Sequence, residues 1–287
     1  MKDTSIDATL KCIMALQGVE AFKETVLRLH GALADRDAGT LRLPNYLWAI
    51  RRGGGVSTLA RLFTAYLHAE QAIEFCGRAH SFEFALEYAP PGAFFSGLAQ
   101  LDAAFKSMAG HRHRFKGVVY INVDAWVEHT NETHFKDFLQ YVAGTSRDVL
   151  TIFCVSKPSK TVEVALAAHM RIETLTLRFP NADELFAWME QQCLRPAEVT
   201  LTKGAGILLT ESIAKIAAGS GFLGFKSIQQ FAEDILHHAL VSGSGMKRIT
   251  AQTLSHFRAD GVYVQRTSVK SGTSKIGYHY QGGEPAP

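Results

Sequence analysis

Chemistry is most concentrated at Arg51-Arg-Gly-Gly-Gly-Val-Ser-Thr58, where two guanidinium groups, three consecutive glycines and two hydroxyls follow one another. Glycine reaches backbone dihedrals closed to other residues, so a glycine run lets successive N–H groups converge on one point, and an anion is what such a concavity takes. Arg51 and Arg52 could add charge from within the loop. Gly53, Gly54 and Gly55 would supply N–H groups, and Ser57 or Thr58 a hydroxyl at the start of the next helix. The competing reading is a tight strand-to-helix turn that binds nothing, with the arginines solvated.

The flanks suit that arrangement. Leu47 to Ile50 is an apolar run fit for a buried strand of about residues 45–50, and Ser57 to Ala69 has helical spacing. Against the phosphate-binding pattern G-x-x-x-x-G-K-[ST], Gly55, Val56 and Ser57 occupy the last three positions, so Val56 stands where the phosphate-reaching lysine belongs and Ile50 where the first glycine belongs. The candidate ligand is ATP or ADP with magnesium, held without efficient turnover.

Other reactive side chains form no comparable pattern. His111-Arg-His-Arg114 has a spacing that suits metal binding on neither face of a helix and is read as a solvated connector. His129, His134, His237 and His238 lack a neighbouring ligand pattern and are read as surface or satisfied histidines, so no metal site is assigned. Cys12, Cys76, Cys154 and Cys193 form no C-x-x-C pair and are read as reduced structural thiols. Neither a Gly-x-Ser-x-Gly elbow, a His-Glu-x-x-His helix nor a Gly-x-Gly-x-x-Gly fingerprint occurs.

Composition sets the frame. The 287 residues are 47% hydrophobic and 20% charged, with a net charge of +3 and no long basic block. That is ordinary globular material, and it gives nucleic-acid binding only weak support. The start, Met1-Lys-Asp-Thr-Ser-Ile-Asp7, lacks a secretory hydrophobic region and no apolar run approaches a membrane span, so a cytoplasmic protein without membrane insertion is expected.

The elements that would carry the loop follow from periodicity. Residues 5–34 read as two helices broken at Gly18, and Asp35 to Pro44 as a linker. Further strands are expected at Ser81–Tyr88, Gly117–Val123, Val149–Val155 and Ile172–Leu177. Helices are expected at Leu98–Met108, Glu132–Val142 and Ser159–Ala168. Five alternating units imply an α/β fold with a five-stranded parallel sheet covered on both faces. From Pro180 the pattern reads as helices only, at Asp183–Leu194, Gly206–Ala218, Ser227–Val241 and Thr250–Phe257, with breaks at Gly219-Ser-Gly221 and Gly243-Ser-Gly245. The expected division is a core over residues 1–180, a small helical lid over 181–259 and a tail over 260–287 that is mostly disordered, with Tyr278-His-Tyr280 docking locally.

Several segments together resemble the AAA+ ATPases over about residues 6–257. Gly18-Val-Glu-Ala-Phe-Lys23 is similar to the helix-opening segment ahead of their phosphate loop. Val56-Ser-Thr-Leu-Ala-Arg61 overlays the K-T-T-h-A-R segment of the group containing the red-type Rubisco activases and the stage V sporulation ATPase, apart from the lysine. Gly117-Val-Val-Tyr-Ile-Asn-Val-Asp-Ala-Trp126 resembles the Walker B strand, with Asn122 and Val123 at the aspartate and glutamate positions, or Asp124 as the aspartate after a two-residue shift. The resemblance further places Ser156 at the sensor-1 position, Arg171 or Arg178 near the arginine finger, and Lys226 and Gln229 at arginine positions of the lid segment Gly224-Phe-Lys-Ser-Ile-Gln-Gln-Phe231. Phe94-Phe-Ser-Gly97 falls where AAA+ rings carry an aromatic pore loop, the competing reading being core aromatics.

Losing the lysine and the Walker B glutamate removes two of the groups phosphoryl transfer to water requires. The resemblance therefore implies a pseudo-ATPase scaffold that binds protein partners, as a homo-oligomer or beside active AAA+ subunits. Two alternatives stand beside it. One is an active ATPase in which Arg51 or Arg52 replaces the lysine, Ser57 and Asp124 hold magnesium and Asn122 or Glu128 orients water. The other is a nucleic-acid-associated mobile-element or defence component.

Overall fold

The computed structural model describes residues 2–34, 43–76, 81–109, 114–145, 148–219, 221–241 and 248–254. Residues 111–113, Gly243-Ser-Gly245, most of the expected linker before Pro44, the end of the last expected helix and the tail lie outside them.

Helices α1 (Lys2–Met14) and α2 (Glu20–Ala34) precede strand β1 (Asn45–Ile50), which leads through the glycine loop into α3 (Val56–Ala69). The chain then alternates through β2 (Ser81–Ala85), α4 (Gly97–Ala109), β3 (Gly117–Asn122), α5 (Thr133–Thr145), β4 (Val149–Val155), α6 (Lys160–Ala167) and β5 (Ile172–Leu177). All strand pairings are parallel, in the order β2-β3-β4-β1-β5. β1 is therefore flanked on both sides, and every one of its six residues is buried, as a strand covered on both faces must be.

Alternation along the strands sorts the helices. Tyr46, Trp48 and Ile50 pack with Val118, Tyr120, Leu150 and Ile152 under α1, α2 and α3. Leu47 and Ala49 pack with Val119, Ile121, Phe153 and Val155 under α4, α5 and α6. Trp48 anchors the first face, its ring 5.8 Å from Phe22, 5.8 Å from Phe63 and 5.4 Å from Tyr120.

Beyond β5 come α7 (Ala182–Met189), a π-helical turn at Glu190–Leu194, β6 (Thr200–Leu201), α8 (Lys203–Ala218), α9 (Phe225–Val241), β7 (Arg248–Ile249) and α10 (Ala251–Leu254). Asn181 starts α7 with a reciprocal capping box: its side chain accepts from Glu184 N–H, and Glu184 accepts from Asn181 N–H. These helices bury a core of their own around Leu185, Ile213, Ile228, Phe231 and Ile235.

Three expectations need correction. The C-terminal region is not helices only, because β6 and β7 pair in parallel. α8 begins at Lys203 rather than Gly206, where the Thr202 hydroxyl accepts from Ala205 N–H. β2 stops at Ala85 rather than Tyr88: Leu86 N–H still reaches the Asn122 carbonyl, but the Glu87 carbonyl accepts from the Trp126 indole, outside the ladder.

Candidate functional site

The sheet topology brings the carboxyl ends of β1, β3 and β4 side by side, which is where open α/β sheets hold their ligands. The glycine loop follows β1, Asp124 follows β3 and Ser156 follows β4. Several of the candidate groups there already have partners from this chain.

The loop turns back on itself through Gly54 N–H donating to the Arg51 carbonyl at 2.8 Å, and Gly53 and Gly55 take φ of 83° and 85°. α3 then starts without a side-chain cap. Gly53 is half-buried, and the side on which a Cβ would stand faces backbone. A Cβ on it would stand 2.7 Å from the Gly224 nitrogen and closer still to the Leu223 carbonyl, and a Cβ on Gly224 would collide with the Gly53 carbonyl. Two glycines at positive φ, one in the loop and one ahead of α9, thus press backbone to backbone. The fully buried Ser227 fixes the second, accepting from Leu223 N–H at 2.9 Å.

Some of the side chains are committed as well. Arg51 places its guanidinium 5.0 Å from the Phe179 ring centroid, and Phe179 in turn meets Phe222 edge-on at 5.4 Å. Arg52 is exposed, as are Ser57 and Thr58, while Val56 packs half-buried against the core under α1–α3. The Ser57 hydroxyl donates to Glu83 of β2 at 3.3 Å. Asp124 accepts from Ser156 N–H at 2.6 Å and from its hydroxyl at 2.5 Å, and its own N–H donates to Asn122 Oδ1 at 2.9 Å.

Val123 is fully buried in the core and offers nothing to a ligand. Between Glu83 and Asp124, burial and then these two charges push the Cys154 thiol up to about 12, so it stays a neutral, unreactive thiol. The loop's arginines are thus turned away or solvated, while the sheet edge beside them carries two carboxylates. That is a poor field for phosphate.

The cavity beside Arg51 and Gly54 is small. A cavity of about 10 Å³ remains among Gly18, Val19, Arg51, Gly54, Pro180 and Phe225, room for about one water. Nucleotide sites occupy hundreds of Å³. ATP or ADP with magnesium does not fit these residues as they stand: the loop glycine is covered by backbone, the hydroxyl and the aspartate are bonded within the chain, and no lysine is present at position 56.

The remaining candidates are scattered. Arg171 is exposed just before β5, Arg178 forms a two-pronged pair with Glu184, and Gln229 donates to Glu233 on its own helix at 2.9 Å. Lys226 is exposed. Phe95 is half-buried against Trp126 and stacks on His134, as a core aromatic, and Gly97 is buried at the start of α4. Phe94 departs from the core-aromatic reading, being 87% exposed. His129 bonds Glu132 at 2.7 Å and stacks on Tyr88. Among the described residues no group of three metal-ligating side chains converges, and no helix is long and apolar enough to cross a membrane.

The sequence pairs Asp124 with Ser156 only as positions in a pattern, and it leaves Glu83, Phe179 and Leu223 out of the site altogether. The alternation of β2 assigns Glu83 to a face, but no sequence signal ties it to Ser57.

No family model and no curated protein matches the sequence. Solved structures do. The chain is similar to two single-substitution variants of Thermotoga maritima RuvB, with TM-scores of 0.52 and 0.51 and identities of 14% and 16%, covering 83% and 84% of this chain and 69% of each of theirs. A further RuvB structure, described as the Holliday junction branch migration motor, matches at TM-score 0.49 and 15% identity over 79% of this chain and 64% of that one. The chain spans about two thirds of their length. At this identity the likeness shows the fold, that of RuvB, an AAA+ P-loop ATPase.

Proposed function

We propose that this chain is a degenerate AAA+ protein, a pseudo-ATPase scaffold whose work is binding other proteins. The observation that carries this reading is the contact of Gly53 with Leu223 and Gly224, which covers one side of the first loop glycine. Phosphoryl transfer needs a cation on the phosphates, a metal and an oriented water. Here Val56, the Ser57–Glu83 bond and the Asp124–Ser156 bond stand in those places.

Protein binding is supported by apolar side chains left outside. Ile207 and Leu208 are adjacent and exposed on α8, and Phe94 projects from the loop ahead of α4. Assembly with copies of itself or with active AAA+ subunits is part of the same proposal. The narrower likeness to the red-type Rubisco activase and stage V sporulation group rests on Val56–Arg61 alone.

The test is calorimetric titration with ATP and ADP, with and without magnesium, followed by phosphate release on the same sample. The expected result is neither binding at about 1 mM nucleotide, the weak end of specific affinity, nor release. Steady release would overturn the proposal in favour of an active ATPase. Tight, steeply salt-dependent DNA binding in a parallel titration would overturn it in favour of a nucleic-acid-associated function.

A further inference from the structure

A larger hollow lies elsewhere, between α5 and α6 on the sheet face opposite α1–α3, with a volume of about 440 Å³. That is within the roughly 300–1,000 Å³ range of small-molecule sites. One end is polar. Thr130, only 7% exposed, lines it, and its hydroxyl has no hydrogen-bond partner among the described residues. Lys136 also lines it and forms no ion pair among them, whereas Lys160 is held by Glu163 at 3.1 Å. α5 begins three residues after Thr130, and α6 begins at Lys160, so the positive ends of two helix dipoles meet at this end. The rest is apolar. Leu139 forms a fully buried floor, Val164 stands 58% exposed along one wall, and Ala168 continues that wall.

A hydroxyl on a buried threonine and an exposed ammonium, neither with a side-chain partner among the described residues, and two helix starts at one end of a mostly apolar channel define an amphipathic recognition surface. We propose that this groove binds an amphipathic organic anion, a carboxylate or phosphate monoester head on a short apolar body. The head lies between Thr130 and Lys136, where it satisfies the hydroxyl and meets the charge, and the body lies along Leu139 and Val164. The inference does not depend on the state of the glycine loop.

The test is titration of the full chain with octanoate and octyl phosphate, against octanol and inorganic phosphate. Each amphipathic anion is expected to bind at least about tenfold more tightly than either control, the share one charge-assisted hydrogen bond supplies. Lys136→Ala and Val164→Glu, both at exposed positions and expected to melt as the parent does, should each weaken it about tenfold, and Thr130→Val should weaken it too. Excess ATP should leave it unchanged. Octanol binding as tightly as octyl phosphate would reduce the groove to an apolar patch, inorganic phosphate binding as tightly would reduce it to a charge, and indifference to Lys136→Ala would remove the head site; each overturns the proposal. A preference between octanoate and octyl phosphate identifies the head.

Discussion

The hollow beside the glycine loop and the groove between α5 and α6 differ in how the chain uses its polar groups. In the first, about 10 Å³ remains, and the loop glycine, Arg51, Ser57 and Asp124 all have partners from this chain. In the second, about 440 Å³ is open, and the Thr130 hydroxyl and the Lys136 ammonium have none among the described residues. A glycine loop is thus not by itself a phosphate site. The same lack of a Cβ that admits a phosphate also admits another backbone, and here Leu223 and Gly224 take that position.

The comparison breaks most readily at the glycine contact. Gly224→Ala puts a Cβ onto the Gly53 carbonyl at a φ of +64°, and it should cost about 2–4 kcal/mol, read as a fall in thermal midpoint. Gly53→Ala should cost a similar amount, and the double variant less than the sum, since both lose one contact. Gly55→Ala is the control. It has φ of +85° but no atom within 4 Å, so about 1–2 kcal/mol of backbone strain is all it should show.

The edge of the crevice should respond to alkali. The Cys154 thiol is pushed from an ordinary 9.0 up to about 12, so the unfolded chain releases that proton first as pH rises. Stability from this group is therefore full below pH 9 and declines from there to about 12, by at most about 1.4 kcal/mol per pH unit. Denaturant melts across that window should show a shallower decline for Cys154→Ala.

A smaller effect is expected of Phe179→Ala, which removes the surface under Arg51 and the edge contact with Phe222. It should cost about 1–2 kcal/mol in the same melts. Val56→Lys sharpens the contrast by having no effect of the kind its motif suggests. Restoring the lysine to a filled crevice should leave calorimetric ATP binding absent, whereas removing one lysine from the open groove should abolish most of its binding.

Much of the fold is legible in the sequence because burial leaves periodic marks. Val149–Val155 and Ile172–Leu177 read as strands from apolar content and are strands. β2 reads too long for the same reason: Leu86 is buried and Tyr88 half-buried in the core although the ladder ends with the Leu86 N–H, and alternation records burial rather than pairing. β6 and β7 leave no period because each is two residues long.

The site is legible in its parts and not in its state. Gly53 and Gly224 stand out separately, one in an anion loop and one at the start of a helical segment, and nothing local to either says that they touch. Contacts between residues that far apart depend on how the helical region is placed on the sheet, which periodicity does not encode. Lys136 and Val164 draw no notice for a related reason. Each is unremarkable on its own helix, and they become a site through the packing of α5 beside α6.

Hydrogen–deuterium exchange over residues 51–56 and 221–226, with and without ATP and magnesium, tests the contact of Gly53 with Leu223 and Gly224 most directly. The account predicts slow exchange in both segments without nucleotide and no change when it is added, because the two backbones already cover each other. Fast exchange in the protein alone, slowed in both segments by nucleotide, would contradict it and return the loop to phosphate binding.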